Sequence, residues 1–482
     1  MSGIVSYGAY VPRYRIDRKL VYKSMGWLNP ATFMPGEKAV ANYDEDSVTM
    51  AVAAGLDCLG GIDRAGVDAV FFATSTAPYA ERQSAEIIAT ALDFRTDIRT
   101  ADFANTPKAG TTAVLSAVDA VKAGSLKKAM VCAADIRIGK AGSAQEEIFG
   151  DGAAALLIGE EDVVAEFAGS FSVAYDFVDH WRGTGERFDQ KWEDRFIRDV
   201  GYTRFIVEAM EGLAKACGIE LSGLSKVVYP CLYAGDFKKI ARSLGLSETQ
   251  VVEPLIGKVG YAGTADPLMH LVRALEEATP GDRIAVVGYG AGADAMLFEV
   301  TDEIEKIRGR QRGISGHLKT RRELQSYEKM AVFRNLLPTE KGIRGENVAF
   351  TALSTLWKNR KEVLGLYGSC CKACGTPQYP VQRVCVKPDC GAIDEMEPYR
   401  FSDREGVLFT YTGDNLAFSP NPPAIYGFVD FEGGGRFWFD VTDVDLEEVK
   451  VGMPVEMSFR KKYVDEKFGI HGYFWKAVPV TA

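Results

Sequence analysis

The chain has 482 residues, 47% of them hydrophobic and 25% charged, and a net charge of −10. This length exceeds one ordinary hydrophobic core, so we expect two or three globular domains. The acidic balance argues against a nucleic-acid partner, because phosphate binding needs basic patches. No apolar run approaches the roughly 20 residues that span a bilayer, and the first residues show no signal-peptide pattern. With nine cysteines in this setting, a reducing, cytoplasmic location is predicted.

A polar loop, residues 105–108, leads into a predicted helix of small residues over 109–122. The first turn of a helix presents free backbone N–H groups and a partial positive charge, which suit it to hold a thiolate or an oxyanion. A nucleophilic cysteine or serine would be at home in such a loop, but the nearest position holds Pro107. The pattern therefore indicates an anion-binding helix start without a nucleophile.

Two stretches of the first 300 residues follow one plan. Residues 109–135 and 262–290 each begin with Ala-Gly-Thr, continue with apolar residues at helical spacing, turn at Gly124 or Gly281, and enter an apolar strand. A second apolar strand with glycines at its start follows each of them. This recurrence indicates a duplicated α/β unit; chance similarity between two such units is the alternative.

Residues 1–315 resemble the thiolase superfamily, and most closely its 3-hydroxy-3-methylglutaryl-CoA synthase and ketoacyl synthase III branch. The stretches that support the resemblance are GIVSYGAYVPRYRI (3–16), KAGTTAVLSAVDAV (108–121), GDGAAALLIG (150–159), DHWRGTGERF (179–188) and the segment from KVGYAGTADP to GYGAGADAML (258–297). The resemblance implies a five-layered αβαβα fold, a homodimer formed through the central sheets, and a tunnel for the pantetheine arm of an acyl-CoA substrate.

The resemblance also implies four catalytic positions, and each of them holds a different residue here. The family's cysteine corresponds to Pro107, its histidine to Pro230, its asparagine to Tyr261 and its glutamate to Ser75. Cys231, next to Pro230, is a candidate for a displaced nucleophile, although a cysteine at the end of a buried strand is more often inert. We therefore expect that acyl transfer through the family's cysteine is lost.

The preferred hypothesis is aldol-type cleavage or condensation of a β-hydroxyacyl-CoA without an acyl-enzyme. This reaction needs a base for the β-hydroxyl and hydrogen-bond donors at the thioester oxygen. A tyrosine fills either role if neighbouring donors lower its pKa, and thiolase-like aldolases of steroid side-chain breakdown, which the chain resembles in this respect, use tyrosines in place of Cys and His. We predict Tyr261 as the leading catalytic residue and Tyr233 as the second; packing of the rings is the structural alternative.

Two other functions stay open. In the first, the chain is a catalytically silent subunit or scaffold that binds an active, thiolase-like partner chain. In the second, it is a Claisen-type acyltransferase with a displaced nucleophile. The histidines favour neither hypothesis. His180 and His270 are expected to be structural, and His317 and His471 lie in no recognisable constellation.

Residues 316–345 are strongly charged, with apolar residues recurring at Leu318, Leu324, Tyr327, Met330, Val332 and Leu336. This pattern predicts an exposed amphipathic helix, and it resembles the tail helix of archaeal synthases of the family. Acidic and basic residues alternate, which is typical of a solvated face. We therefore predict a helical linker over 316–350, after a thiolase-like domain over 1–315.

Four cysteines fall in two pairs, each followed directly by a glycine: Cys371 and Cys374, and Cys385 and Cys390. Two such turns bring four thiolates together tetrahedrally on Zn²⁺. Four thiolates close the coordination shell, so the metal is predicted to be structural, in a zinc ribbon over 351–395. Disulfides are the alternative, and a reducing compartment disfavours them. Cys370 is expected to be a bystander.

Residues 396–482 alternate aromatic or branched residues with polar ones, which predicts an all-β domain with a hairpin turn at 433–435. A ribbon followed by a small barrel resembles the zinc-ribbon/OB-fold domain that accompanies thiolase-like enzymes acting on acyl-CoA. OB-folds also bind single-stranded nucleic acid, but residues 391–482 hold nine Lys and Arg against sixteen Asp and Glu. This acidic charge favours a role in covering the acyl-CoA entrance or in organising a complex.

Overall fold

The structure is a computed structural model that describes residues 1–342, 345 and 350–481. Its contacts divide the chain into two compact units. The first unit comprises Met1–Ala41, Asp46–Ile88 and Phe94–Met330, and the second comprises Asn42–Glu45, Ala89–Asp93 and Ala331–Ala482. Within the described ranges, no helix combines the length and the apolar character needed to cross a bilayer.

The first unit mixes strands and helices. Its strands are β1 (Gly3–Tyr10), β2 (Tyr14–Asp17), β3 (Glu37–Ala39), β4 (Ala69–Ala73), β5 (Arg99–Phe103), β6 (Ala129–Asp135), β7 (Gly152–Gly159), β8 (Ala165–Ala174), β9 (His180–Trp181), β10 (Gln190–Lys191), β11 (Lys226–Val228), β12 (Arg283–Tyr289), β13 (Gly292–Val300) and β14 (Arg322–Glu323). Its helices are α1 (Arg18–Met25), α2 (Ser47–Cys58), α3 (Ala85–Ala91), α4 (Ala109–Lys122), α5 (Ala144–Ile148), α6 (Asp194–Phe196), α7 (Thr203–Cys217), α8 (Ala234–Ser243), α9 (Asp266–Glu277), α10 (Ile304–Ile307), α11 (Gly313–Lys319) and α12 (Tyr327–Phe333). Helices α3 and α12 begin in the first unit and end in residues of the second.

Nine strands of the first unit form one sheet in the order β11-β12-β13-β8-β1-β7-β6-β4-β5. The sheet has two halves, which join where β1 pairs with β8 through Gly3–Glu166 and Ile4–Ala165. From this junction outward, β1, β7, β6 and β4 follow each other in one half, and β8, β13, β12 and β11 in the other. Both halves therefore take their strands in the same relative chain order, which confirms the predicted duplication.

Helices α4 and α9 contact strands of both halves and form a central layer, while α2 covers the other face of the first half and α7 that of the second. In β12, Ile284 and Val286 belong to the core shared with α4 and α9, whereas Ala285 and Val287 belong to the core beside α7. Side chains of a strand alternate between its two faces, so a strand covered on both faces is apolar throughout. The result is the five-layered αβαβα arrangement that the resemblance implied.

The two Ala-Gly-Thr segments approach each other in the central layer. A Cβ atom on Gly110 would lie 2.3 Å from the carbonyl oxygen of Thr264, so a glycine is required there. Gly124 and Gly281 have positive φ angles of 70° and 88°, as expected for residues that lead from a helix into a strand. The predicted helix over 109–122 and the strands after each glycine are confirmed.

The predicted single helix over the linker 316–350 is wrong for the described residues. The short helices α11 and α12 are separated there by β14, which pairs with β2 in parallel. The backbone N–H groups of Arg322 and Leu324 donate to carbonyls near β2, and Leu324 is buried. Sheet pairing therefore replaces helical hydrogen bonds in this segment. The apolar residues that suggested one helix face, such as Leu318 and Met330, belong to different elements. Residues 343–344 and 346–349 lie outside the described residues.

The second unit begins with two short helices and continues as strands. Its elements are α13 (Leu353–Lys358), α14 (Arg360–Leu364), β15 (Tyr367–Cys371), β16 (Pro377–Gln378), β17 (Met396–Arg400), β18 (Gly406–Asp414), β19 (Ala424–Phe431), β20 (Arg436–Asp440), β21 (Pro454–Asp465) and β22 (Ile470–Pro479). Strands β16-β15-β17 form a small sheet, and β20-β19-β18-β21-β22 form a five-stranded antiparallel one. The predicted all-β structure with a turn at 433–435 is confirmed.

A buried charge cluster ties the segment Asn42–Glu45 into the second unit. The guanidinium of Arg460, on β21, lies 3.2 Å from Asp44, 2.8 Å from Glu45 and 2.6 Å from Asp443. The ammonium of Lys476, on β22, lies 2.9 Å from Asp44. All of these residues are buried, so each charge depends on its partners.

Candidate active site

A cavity of about 60 Å³ lies in the first unit. It is formed mainly by loops that follow strands of the sheet and by loops that lead into helices. Three loops that precede helices line it, namely those before α4, α8 and α9. The rest of the lining comes from the segment after β6, from α5 and the residue after it, from the hairpin β9–β10 and from the end of β12. Ligands of open α/β sheets bind at such carboxyl ends of strands. Both repeats contribute to the cavity, which makes it the candidate active site.

Pro107 lines the cavity two residues before the first residue of α4. Its loop is held by the Thr106 hydroxyl, which donates to the carbonyl of Gly290 at 3.0 Å, and by the Lys108 ammonium, 3.0 Å from the carboxylate of Asp294. No side chain caps the start of α4 among the described residues. This helix start keeps its attraction for an anion, but Pro107 supplies no nucleophile.

Tyr261 lines the same cavity from the loop before α9 and is only 3% exposed. Its backbone is fixed, because its N–H donates to the carbonyl of Ile148 at 2.8 Å and its carbonyl accepts from Gly150 at 3.1 Å. The guanidinium of Arg137 lies 5.8 Å from the centre of its ring. The side chain is thus held in one place between α5 and the segment after β6.

Burial raises the pKa of Tyr261 above that of an ordinary tyrosine, and the nearby Arg137 charge only partly offsets this effect. The condition that neighbouring donors lower the pKa of a catalytic tyrosine is therefore not met at Tyr261, because the cost of placing a phenolate in a buried site exceeds the attraction of one guanidinium. Tyr261 stays a neutral phenol. A neutral phenol is suited to donate a hydrogen bond and unsuited to act as a base at neutral pH.

Tyr233, the second predicted residue, also lines the cavity, just before α8. Its hydroxyl donates to the carboxylate of Asp194 at 2.9 Å, and Asp194 also lies 2.5 Å from the ammonium of Lys191. Burial first, and then the charge of Asp194, raise the pKa of Tyr233. The structure brings Tyr233 and Tyr261 into one cavity, but the Tyr233 proton already has an acceptor.

Arg137 is a cavity residue that the sequence did not single out. Its guanidinium is buried, lies 2.8 Å from the carboxylate of Asp189, and stacks 4.4 Å from the ring centre of Phe149. Burial alone would lower the pKa of Arg137, but the neighbouring carboxylates, Asp189 first and then Asp135, contribute to a pKa above the usual value, so the cavity holds a fixed positive charge. Its position was the available signal in the sequence, since Arg137 is a charged residue three positions after the end of the apolar segment 129–134.

An aspartate–histidine pair lines the cavity on the hairpin side. Nδ1 of His180 lies 2.6 Å from Oδ1 of Asp179, and Asp179 is buried while the His180 side chain is 24% exposed. Burial alone would raise the pKa of Asp179, but the His180 contact and the neighbouring Tyr289 hydroxyl hold it below its usual value. From the sequence we expected His180 to be structural, because the residues around it do not show that the hairpin faces the cavity.

The other positions that the resemblance singled out do not line this cavity in the described part of the chain. The Pro230 carbonyl accepts a hydrogen bond from Tyr202, and the Ser75 hydroxyl donates to Asp135 at 2.9 Å. Cys231 is buried, and burial, followed by the charge of Asp266, raises its pKa to about 12. A thiol with this pKa is almost entirely protonated at neutral pH.

Two further histidines have structural contacts, as expected for His270. Nε2 of His270 accepts from the N–H of Leu255 at 2.9 Å, and Nδ1 donates to the carbonyl of Asp266 at 2.7 Å. His317 packs edge-on against Tyr10 at 5.2 Å, and burial lowers its pKa to about 3. Neither histidine is among the described residues that line the cavity.

The second unit holds the four predicted metal ligands close together. One ligand atom from each of Cys371, Cys374, Cys385 and Cys390 lies within 4.8 Å of the others. Two of the sulfur pairs are 3.7 Å (Cys371–Cys390) and 3.5 Å (Cys374–Cys385) apart. Zn–S bonds of about 2.3 Å in a tetrahedron place sulfurs about 3.8 Å apart, so the cluster is compatible with a zinc ribbon.

Comparison with known proteins agrees with both units. A family model described as the C-terminal OB-fold domain of ChsH2 matches residues 399–460. The hydroxymethylglutaryl-CoA synthase of Methanocaldococcus jannaschii is 34% identical over 346 residues, which cover 69% of this chain and 99% of that protein. The protein of the same name from Methanopyrus kandleri is 35% identical over 315 residues, covering 64% of this chain and 89% of that protein.

Solved structures show the same fold at low sequence identity. A structure of HMG-CoA synthase complexed with CoA has a TM-score of 0.62 at 18% identity and covers 73% of this chain and 94% of its own. The 3-oxoacyl-(acyl carrier protein) synthase III FabH from Pseudomonas aeruginosa has a TM-score of 0.55 at 18% identity, covering 62% and 98%. The thiolase-like fold and the C-terminal OB-fold domain that the sequence predicted are confirmed.

Proposed function

Because this chain belongs to the hydroxymethylglutaryl-CoA synthase family, we propose that it makes or breaks a carbon–carbon bond in a β-hydroxyacyl-CoA by aldol chemistry, without an acyl-enzyme. One observation carries the proposal: the cavity places Pro107 before α4 and Tyr261 before α9. The first residue has no nucleophile, and the second has a fixed donor. The scaffold of the family would then serve a reaction in which negative charge forms on the thioester oxygen.

Tyr261 is the proposed donor to this oxygen. Cleavage of the Cα–Cβ bond leaves an enolate, and a preorganised donor that strengthens its hydrogen bond as this charge forms lowers the barrier. The hydroxyl stays protonated because burial raises the pKa of Tyr261. Arg137 adds a fixed positive charge 5.8 Å from the tyrosine ring. Tyr233 takes a secondary role in shaping the cavity, since its proton is engaged by Asp194.

A covalent route has less support. No cysteine is among the described residues that line the cavity, and the buried thiol of Cys231 has a pKa raised to about 12. A thioester intermediate needs a thiolate within reach of the acyl carbon. The Claisen-type alternative with a displaced nucleophile therefore lacks its nucleophile at this site.

The family supports a CoA thioester as the substrate class, and the assembly is part of the proposal. A related structure is described as HMG-CoA synthase complexed with CoA, which supports a CoA thioester as substrate. Strand β5 is the outermost strand of its half of the sheet and is partly exposed. An edge strand of this kind is available for pairing with a second copy of the chain, which supports the proposed homodimer. A cytoplasmic location is part of the same proposal.

Zinc is proposed as a structural ion of the second unit. Four sulfurs at tetrahedral spacing fit Zn²⁺, and Gly375 and Gly391 take positive φ angles of 70° and 63° in the turns that follow each cysteine pair. Four thiolates leave no open coordination position. The ion would stabilise the turns of the ribbon and take no part in the chemistry.

One observation favours a second function. The cavity encloses only about 60 Å³, room for a few waters, and a silent subunit that stabilises an active thiolase-like chain needs no more. Such a subunit would bind CoA weakly and would copurify with its partner. Isothermal titration with CoA and purification from the native source distinguish the two functions.

The proposed function is tested by incubating the purified chain with a panel of β-hydroxyacyl-CoAs and following the products by mass spectrometry. We expect loss of one substrate with equimolar appearance of a shorter acyl-CoA and a ketone or aldehyde. Absence of turnover across the panel, together with absence of CoA binding, would overturn the enzymatic proposal in favour of the silent subunit.

A further inference from the structure

The hairpin β9–β10 presents two polar residues to the cavity. His180 and Lys191 are directly paired across the hairpin, and both line the cavity, whereas Trp181, next to His180, is exposed. One contact closes the hairpin at its open end, and another anchors it to the segment after β6. The N–H of Trp192 donates to the carbonyl of Asp179 at 2.9 Å, and the carboxylate of Asp189 lies 2.8 Å from the buried Arg137. Its cavity face is therefore held in a fixed position.

Within the proposed aldol reaction, on which this inference rests, we propose that His180 is the base that takes the proton of the β-hydroxyl and that Asp179 positions its imidazole. His180 would then be a catalytic residue and Asp179 a positioning residue. The reaction needs a base in addition to the donor Tyr261, and the hairpin supplies it within the same cavity lining.

The contact between the two side chains fixes the tautomer of His180. The Asp179 carboxylate is ionised, since its pKa lies below the usual value, so it can only accept a hydrogen bond. Nδ1, 2.6 Å away, must therefore carry the proton. In a neutral imidazole this leaves Nε2 with a lone pair, which is the atom that a base needs. Groups on the neighbouring elements that face the pair are Tyr289, Tyr261, Tyr233, Arg137 and Lys191.

The other polar groups of the cavity are unsuited to this role. Burial is the largest cause of the raised pKa of Tyr261, Tyr233 and Tyr289, so none of these phenols gives up its proton easily. Lys191 is 2.5 Å from Asp194, and Arg137 is 2.8 Å from Asp189. Both cations are paired with carboxylates, and a protonated amine or guanidinium cannot accept a further proton.

The step balances without a further reactant. The O–H proton of the β-hydroxyl moves to Nε2 of His180, and the oxygen lone pair forms the carbonyl of the departing ketone or aldehyde. The Cα–Cβ bond breaks, and its electron pair forms the enolate of the acyl-CoA, whose oxygen accepts a hydrogen bond from Tyr261. The imidazolium then returns the proton to Cα and gives the free acyl-CoA. No net proton is gained or lost.

The first test does not depend on turnover. Protein labelled with [¹⁵N]histidine is measured by long-range ¹H–¹⁵N NMR, with His180→Gln identifying the His180 signals. We expect the Nδ1–H tautomer in the wild-type chain and its loss or mixing in Asp179→Asn, which keeps the size of the side chain but removes its charge. An Nε2–H tautomer in the wild-type chain would overturn the proposal whatever the substrate is.

The second test measures exchange of the α-protons of acetyl-CoA and propionyl-CoA in D₂O. We expect the wild-type chain to catalyse the exchange, His180→Gln to lose about 100-fold or more in rate, and Asp179→Asn to lose less. His471→Gln, in the second unit, is the matched control and keeps the wild-type rate. Equal melting temperatures of the variants show that folding is not the cause.

The outcomes separate the inference from the proposed function. Wild-type exchange that His180→Gln reduces less than threefold would overturn the role of His180 and leave aldol chemistry standing. Absence of exchange and of cleavage in the wild-type chain would overturn the proposed function and the inference together. Loss of exchange in His180→Gln, with the Nδ1–H tautomer present in the wild-type chain, supports both.

Discussion

Pro107 and Tyr261 line one cavity from related positions of the two repeats. Pro107 lies two residues before the Ala-Gly-Thr segment of the first repeat, and Tyr261 lies directly before that of the second. The segments themselves are close, since a Cβ on Gly110 would be 2.3 Å from the backbone of Thr264. The internal duplication thus brings the two loops together, and the residue types in them decide which chemistry the cavity supports.

Replacing Tyr261 with phenylalanine removes one hydroxyl from a fixed, buried ring. We expect turnover of the β-hydroxyacyl-CoA to fall by about 10²–10³-fold, the usual loss for a donor to a developing oxyanion. The melting temperature should change little, because the packing of the ring is kept. Steady-state kinetics with the substrate found in the panel measure the effect.

Tyr22→Phe is the control for this variant, because Tyr22 lies outside the cavity lining. Tyr233→Phe should have an intermediate effect, since its hydroxyl already donates to Asp194. Turnover of Tyr261→Phe equal to that of Tyr22→Phe would remove Tyr261 from the mechanism and leave it as a packing residue.

Cys231 is expected to be dispensable for catalysis. Burial raises the pKa of its thiol to about 12, so the fraction of thiolate at neutral pH is very small. Cys231→Ala should keep turnover within about threefold of the wild-type value, and iodoacetamide should not label the residue in the folded chain at pH 7. Peptide mapping measures the labelling. Complete loss of turnover in this variant, with an unchanged melting temperature, would revive the displaced-nucleophile alternative.

Zinc content tests the cysteine cluster of the second unit. We expect one zinc ion per purified chain, and its loss in Cys374→Ser, since a hydroxyl replaces one of four thiolates. Cys370→Ser is a matched control, because this neighbouring cysteine is not part of the four-sulfur cluster. Elemental analysis by mass spectrometry gives the stoichiometry. A wild-type chain without zinc, or equal loss in both variants, would contradict the ligand assignment.

Arg460 is expected to be essential for the stability of the second unit. Its replacement by methionine leaves Asp44, Glu45 and Asp443 buried with an unbalanced charge, and losing one partner of such a cluster costs about 3–5 kcal/mol. Urea unfolding followed by tryptophan fluorescence measures the loss. Arg383→Met is the control, since Arg383 and its partner Asp394 are both exposed, and it should leave the unfolding curve unchanged. Equal curves for both variants would contradict the role of the cluster.

The same cluster predicts loss of stability in acid. Burial alone would raise the pKa of Asp44, but the charges of Lys476 and Arg460 hold it below its usual value. A carboxyl with a depressed pKa in the folded state contributes stability above its unfolded pKa of about 3.9 and loses it as the pH falls toward the folded value. The melting temperature should therefore drop below about pH 4 in the wild-type chain and less steeply in Asp44→Asn.

Much of the fold was predictable because its signals are local. The apolar run 129–134 and the equivalent run 284–288 predict strands covered on both faces, and the glycines before them mark the turns. The linker 316–350 was not predicted correctly, because β14 pairs with β2, some 300 residues earlier in the chain. Periodicity within one segment carries no information about such a partner.

The candidate site was only partly predictable, for a related reason. Tyr261 was singled out because the resemblance places it in a catalytic turn of the family, and it lines the cavity. His180 was not singled out, since its place in the cavity lining depends on a hairpin that is folded against another part of the first unit. The raised pKa of Tyr261 could not be predicted from the sequence, because burial is a property of the whole fold and exceeds the influence of Arg137. Local sequence gives the residue types, and tertiary packing sets their charge states.

The most direct measurement is the intact mass of the chain during turnover. The reaction with the β-hydroxyacyl-CoA that the chain turns over is quenched in acid at short intervals. The masses of the protein and of the products are then measured by mass spectrometry in the same sample. Because the proposed reaction forms no acyl-enzyme, we expect an unmodified protein mass at every time point while the shorter acyl-CoA accumulates. A protein species heavier by the acyl group, formed and consumed at the rate of turnover and mapped to a cysteine, would contradict it.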